Sequence, residues 1–186
     1  MFFFTEKDEN IKITPKSIEH AYLSILNDDL ISAEEVFKLN DSPRSRWGII
    51  LIEILTGFLQ TYPTYFEIRN FLEIDMDFLL KNEKLDYIEQ ILGASEILIT
   101  INQETYKYIA RVMYENKLYK VARDYLEKSK AIFYKDPELH FMLAKYYLRL
   151  NDYDNTLYYI NECLKILPEY YPAKKIKEQV QVYLAK

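Results

Sequence analysis

The turn Asn151-Asp152-Tyr153-Asp154 has a counterpart in Lys117-Leu118-Tyr119-Lys120, and the spacing of 34 residues between them carries well beyond the turn. Ala110 pairs with Ala144, Met113 with Tyr147, Tyr119 with Tyr153, Ala122 with Thr156, Leu126 with Ile160 and Ser129 with Cys163. A further step of the same length towards the N-terminus reaches Met76, Leu79, Leu85, Ile88, Leu92 and Ser95. A period of this size is that of a supersecondary unit repeated along the chain. Two helices in a hairpin cannot bury their apolar faces alone, whereas stacked hairpins share one continuous core. Small residues such as Ala122, Ala144 and Cys163 are what close helix crossings require.

Helical patterning fills the rest of the chain. Ser17 opens a short helix with Ile18, Tyr22, Ile25 and Leu26 on one face, broken by Asn27-Asp28-Asp29. A second helix runs through Ile31, Ala33, Val36 and Phe37 to about Asn40, and Asp41-Ser42-Pro43 is a turn with a capping candidate. Arg46 to Gln60 is apolar all round and is expected to be covered on most sides. Further helices are expected over 63–81, 85–99, 103–116, 119–135, 138–150, 153–167 and 171–185. Asn102, Asp136-Pro137 and Pro168 act as boundaries, because a proline disfavours helix at the residue before it. Very short connections between about ten helices mean antiparallel neighbours packed in sequence.

Composition excludes the competing classes. In 186 residues, 49% are hydrophobic and 28% charged, which is too apolar for a disordered chain. Three glycines leave no Gly-rich phosphate loop and argue against an all-β fold built on tight turns. A single cysteine, Cys163, excludes an internal disulfide and any multi-Cys zinc site. The formal charge of −5 argues against nucleic acid as a partner, since that affinity comes mainly from neutralising phosphates. The longest apolar stretch, Trp47 to Leu59, spans 13 residues and contains Glu53, short of the roughly 20 that cross a bilayer. Met1-Phe2-Phe3-Phe4 lacks a preceding cationic region and is followed by Glu6, Asp8 and Glu9, so it does not read as a secretory signal. It reads as a loosely docked terminus, or as a segment folding back into an apolar groove of its own chain. The expectation is a protein of a reducing, cytoplasmic compartment with no membrane insertion.

At the repeat residues the chain resembles the tetratricopeptide repeat (TPR) family. The best unit is 137–170, with Leu143-Ala144 and Tyr147 in its first helix, Asn151-Asp152-Tyr153-Asp154 at the turn, then Thr156, Ile160, Cys163 and Pro168. The match is fair over 103–136 and weak over 69–102, where Asp75 takes a position the family usually gives to Leu. Asp136-Pro137 arrives about three residues late for a closing proline, which implies a lengthened helix in the second unit. The resemblance implies an all-α, right-handed superhelical array of antiparallel helix hairpins, a TPR-like α-solenoid. It divides the chain into an N-terminal extension (1–16), divergent helices packed on the array (17–68), three units (69–170) and a C-terminal capping helix (171–186), one compact domain overall. In that last helix Ile176, Val180 and Tyr183 are expected to face inward.

Residues that could carry chemistry are sparse. His20 and His140 have no metal-ligand spacing and read as surface or boundary residues. Cys163 lies at a small-residue packing position and reads as a core thiol. Glu73, Asp75 and Asp77 cannot converge on one ion from a helix, and read as a solvated charged face. Glu53 within the apolar helix needs a basic partner or a place at the rim. No enzyme activity and no cofactor are expected.

Proteins of the family bind peptides or partner helices along a groove lined by the first helix of each unit. The register then implies a partner-binding surface of Lys107, Arg111, Tyr114, Phe141, Lys145, Leu148 and Arg149, flanked by Glu104 and Glu138. Lys107, Arg111, Lys145 and Arg149 would form a basic, aromatic-edged strip suited to an acidic or carboxylate-bearing segment. The expected function is a non-catalytic protein-interaction module, a scaffold or adaptor. The alternative is a dedicated chaperone similar to class II secretion chaperones, for which the groove would be mainly apolar. Self-association through Trp47 to Leu59 or Phe2 to Phe4 is the remaining possibility weighed.

Overall fold

A computed structural model describes residues 17–184, and the Phe2 to Phe4 segment lies outside them. The described residues are all-α, with no strand among them: α1 (Ile18–Leu26), α2 (Leu30–Lys38), α3 (Pro43–Leu55), α4 (Tyr65–Lys81), α5 (Leu85–Ile101), α6 (Thr105–Glu115), α7 (Tyr119–Ile132), α8 (Pro137–Arg149), α9 (Tyr153–Ile166) and α10 (Tyr171–Leu184). The chain divides into two compact units, with the boundary in sequence between Pro63 and Thr64. The first helix of the second unit is α4.

In the first unit, α2 packs against both α1 and α3. Ser17, Asp29 and Ser42 cap the three helices by accepting the amides of His20, Ser32 and Ser45. This satisfies N–H groups that a helix N-terminus leaves open. Trp47, Ile50, Leu51 and Ile54 of α3 are buried, as the all-round apolar pattern requires. Gly48 has no Cβ because one would lie 2.5 Å from the Phe37 ring, which fills that space instead. Of the apolar run Trp47 to Leu59, the part up to Leu55 lies largely in this core, while Phe58 is 72% exposed. The helix stops at Leu55 rather than near Gln60: Gly57 takes φ 73°, and its amide and that of Phe58 turn back to Ile54 and Glu53.

The second unit is built from one repeated turn. The hairpins α4/α5, α6/α7 and α8/α9 turn through Glu83 (φ 59°), Lys117 (φ 65°) and Asn151 (φ 56°), each 34 residues after the last. In each, the next amide reaches back over the helix end: Lys84 N to Leu79 O at 3.0 Å, Leu118 N to Met113 O at 2.8 Å, Asp152 N to Tyr147 O at 3.0 Å. A left-handed residue closing the last turn in this way satisfies carbonyls the helix leaves orphaned. The α1/α2 turn repeats the geometry with Asp28 (φ 61°) and Asp29 N to Ser24 O at 2.9 Å.

Core positions share the period. Met76, Ala110 and Ala144 are buried, as are Ile88, Ala122 and Thr156, and Ser95, Ser129 and Cys163. Asp75 takes the position of Ile109 and Leu143 and is 1% exposed, so it belongs to the core side of α4 and not to a solvated face. The lengthened helix is α5, of 17 residues, whereas α7 and α9 have 14 each. The extra residues expected on α7 form an irregular link, because Asp136 must be extended ahead of Pro137 to cap α8. On α10 the inward residues are Ala173 and Val180. Tyr183, expected inside, is 62% exposed and stacks on Tyr153 with centroids 5.8 Å apart.

Candidate functional site

Side chains of α4, α6 and α8 meet in a row of alternating charge. Arg111 on α6 donates to both oxygens of Glu73 on α4, at 2.7 and 3.0 Å, and through its other terminal nitrogen to Glu138 on α8 at 2.6 Å. One turn earlier, the Lys107 ammonium lies 2.6 Å from Asp136, 2.8 Å from Glu104 and 3.3 Å from Glu138. Burial lowers the Lys107 affinity for its proton, but the hydrogen bonds to Asp136 and Glu104 outweigh this and hold it above the usual lysine range. For Glu73, burial is the stronger influence and raises its pKa despite Arg111 beside it.

These pairings correct the basic strip at one end. Lys107 is 4% exposed, so it ties helices together rather than facing a partner. Arg111 is held between two carboxylates. Together the two cations face four acids, Glu73, Glu104, Asp136 and Glu138, and that end carries no excess positive charge.

The other end is different. Lys145 and Arg149, one turn apart on α8, have no carboxylate within 4.0 Å among the described residues. The Lys145 ammonium lies 4.8 Å from the centre of the Tyr114 ring and the Arg149 guanidinium 3.7 Å from that of Tyr119. The two rings meet edge to face at 5.1 Å. Each cation rests on an aromatic face, an attraction of about 0.5–1 kcal/mol at exposed sites. This orients the cations without neutralising them.

Between the two ends lies a cavity of about 190 Å³. Its lining includes Arg111, Tyr114, Phe141 and Lys145 from the expected surface, together with Glu138 and Tyr170. Phe141 and Tyr170 pack edge to face at 5.1 Å and form an aromatic wall. The Tyr114 hydroxyl reaches the Lys145 carbonyl at 3.4 Å, joining α6 to α8 across the cavity. Leu148 is half-buried and Arg149 exposed, and neither lines the cavity.

No family model matches this chain, and no curated protein matches it.

Glu73, Tyr119, Asp136 and Tyr170 are the participants sequence reasoning missed. For Asp136 the signal was present: it lies 34 residues after Asn102, and the two side chains accept the amides of Glu138 and Glu104, each at 2.9 Å. Tyr119 carries a repeat position, yet that position says nothing of the cation above it. Glu73 and Tyr170 had no local signal, because their partners lie on other helices.

The remaining candidates resolve as structure. Burial pushes the Cys163 thiol up to about 11, which suits a core residue and not a nucleophile. His140 is fully buried rather than at the surface, with Nε2 2.7 Å from the Tyr134 carbonyl and its ring between Tyr134 and Tyr159. Glu53 takes a half-buried place at the rim rather than a basic partner. It accepts the Gln60 and Thr61 amides at 2.8 and 2.6 Å and the Thr61 hydroxyl at 2.8 Å. No group of three or more His, Cys, Asp or Glu able to hold a metal ion occurs among the described residues. No helix there is long and apolar enough to cross a membrane.

Proposed function

We propose that the chain is a TPR-like helical array acting as a non-catalytic interaction module of the cytoplasm. It takes an acidic partner segment along α6 and α8. The observation that carries the reading is the pair Lys145 and Arg149, set on tyrosine faces with no carboxylate opposite, beside the Phe141–Tyr170 wall. Acidic side chains of the segment meet the two cations, and an apolar side chain enters the cavity. The packing of α4 on α6, and the side-chain bonds by which Arg111 of α6 reaches Glu73 of α4 and Glu138 of α8, support stacked hairpins. A chaperone for apolar segments fits less well, because four charged residues, Arg111, Glu115, Glu138 and Lys145, line the cavity beside its three aromatics and Met142.

The test is selection of a random peptide display library on the immobilised protein, beside a Lys145→Glu, Arg149→Glu variant of unchanged helicity and melting temperature. Acid-rich peptides with an apolar residue are expected on wild type and absent from the variant. No enrichment on wild type, or the same peptides on both proteins, refutes the reading.

A further inference from the structure

The outward face of α10 carries a pattern that is complementary to itself. Tyr171, Lys175, Glu178 and Val182 are all exposed, Tyr171 at 73% and Val182 at 58%. At about 100° per residue these four fall within an arc of about 60° on the helix. Ala173 and Val180, which are fully buried, lie on the opposite side and seat the helix on α9. The stripe therefore points directly away from the rest of its unit. Read in either direction it is apolar, charged, charged, apolar, with the two charges opposite in sign.

We propose that this stripe is an isologous dimer surface, on which α10 packs antiparallel against α10 of a second copy. A two-fold axis passing between residues 176 and 177 sets Tyr171 against Val182 of the other copy, and Lys175 against its Glu178. The same axis repeats both pairs in reverse, as a two-fold contact must. Among the described residues neither Lys175 nor Glu178 makes an ion pair within its own chain, so both are available for this one. Lys174, next to the stripe, is already engaged by Glu169 at 2.7 Å. An unrelated partner would need apolar or charged groups in matching order, whereas a second copy supplies that order by construction.

The contact is modest in size. A helix of 14 residues is about 21 Å long, and one helix pair of that length buries less than the roughly 1,200 Å² below which complexes are transient. The dimer is therefore concentration-dependent, and its charge pairs make it weaker as salt rises.

Sedimentation equilibrium of the full chain, from micromolar to near-millimolar concentration at low salt, tests the proposal. Wild type is expected to show a reversible monomer–dimer equilibrium. Lys175→Glu places two carboxylates opposite each other twice and should weaken the dimer about tenfold or more. Glu178→Lys should do the same with two ammonium groups. The exchanged variant K175E/E178K restores opposite charges at both positions and should dimerise like wild type. Recovery in the exchanged variant separates a charge pair across an interface from damage to the helix. A wild type that stays monomeric throughout overturns the proposal, as does a dimer unaffected by either single reversal or one that the exchange fails to restore.

Discussion

The Lys107 ammonium and the Asp136 carboxylate meet at 2.6 Å with both side chains buried. Asp136 has a second duty on its other oxygen, which accepts the Glu138 and Leu139 amides and starts α8. One ion pair thus joins α6 to the first turn of α8. Removing one partner of a buried pair leaves a charge without compensation, at a cost of about 3–5 kcal/mol. Lys107→Met should therefore lower the free energy of urea unfolding by that amount. In Lys107→Met, Asp136→Asn no buried charge is stranded and Asn still caps the helix, so most of the loss should return. A single variant no less stable than wild type would show that the pair contributes nothing.

Glu53 organises the chain after α3, where three hydrogen bonds converge on its carboxylate. Burial raises its pKa, but the bonds from Thr61 and Gln60 outweigh that and hold the pKa below the ordinary 4.5. A group whose folded pKa is depressed contributes stability above its unfolded value and loses it as pH falls through the folded one. Glu53→Ala should cost about 1.5–3 kcal/mol at neutral pH, the range for hydrogen bonds to a charged group. The gap between variant and wild type should narrow once pH drops below 4.5. Urea midpoints of both proteins between neutral pH and strong acid give the curve, and a gap independent of pH would contradict it.

The helices were legible because periodicity, caps and prolines are local. Ser17 and Asp136-Pro137 announce helix starts, and Lys117 and Asn151 declare the repeated turn by their spacing alone. The charge of the surface was not legible. Lys107 and Lys145 look alike in sequence, yet one is buried among carboxylates on other elements and the other rests on Tyr114. That difference depends on which acids three separate helices bring together. Asp75 misled for a related reason: its polarity suggested solvent, while its repeat position, shared with Ile109 and Leu143, pointed to the core.

Lys117 holds a left-handed conformation, φ 65°, which costs an L-residue about 1–2 kcal/mol that glycine avoids. Glycine gives back part of this in chain entropy, about 0.5–1 kcal/mol. Lys117→Gly should therefore raise unfolding stability by about 0.5–1 kcal/mol. Lys117→Val adds a β-branched side chain at positive φ, a true outlier, and should destabilise. Thermal melts of the two variants check the turn, because a strand or open loop there would favour Val over Gly.

Arg111 and the pair Lys145 and Arg149 divide the expected basic surface into a structural half and an available half. Arg111 bridges Glu73 and Glu138, so Arg111→Met leaves Glu73 without an ion-pair partner among the described residues and open to repulsion by Glu138, which keeps Lys107 at 3.3 Å. It should lower stability by about 1–3 kcal/mol, the penalty for leaving partly buried polar groups unsatisfied. Protonating Glu73 relieves that repulsion, and burial already raises its pKa, so the loss should shrink as pH falls towards and below 4.5. Lys145→Met and Arg149→Met break no ion pair and should cost no more than the cation–π attraction each removes, about 0.5–1 kcal/mol. Urea unfolding of the three variants across pH decides the matter. Equal losses for all three would mean that Lys145 and Arg149 also serve the fold, and would leave no free positive charge for a partner.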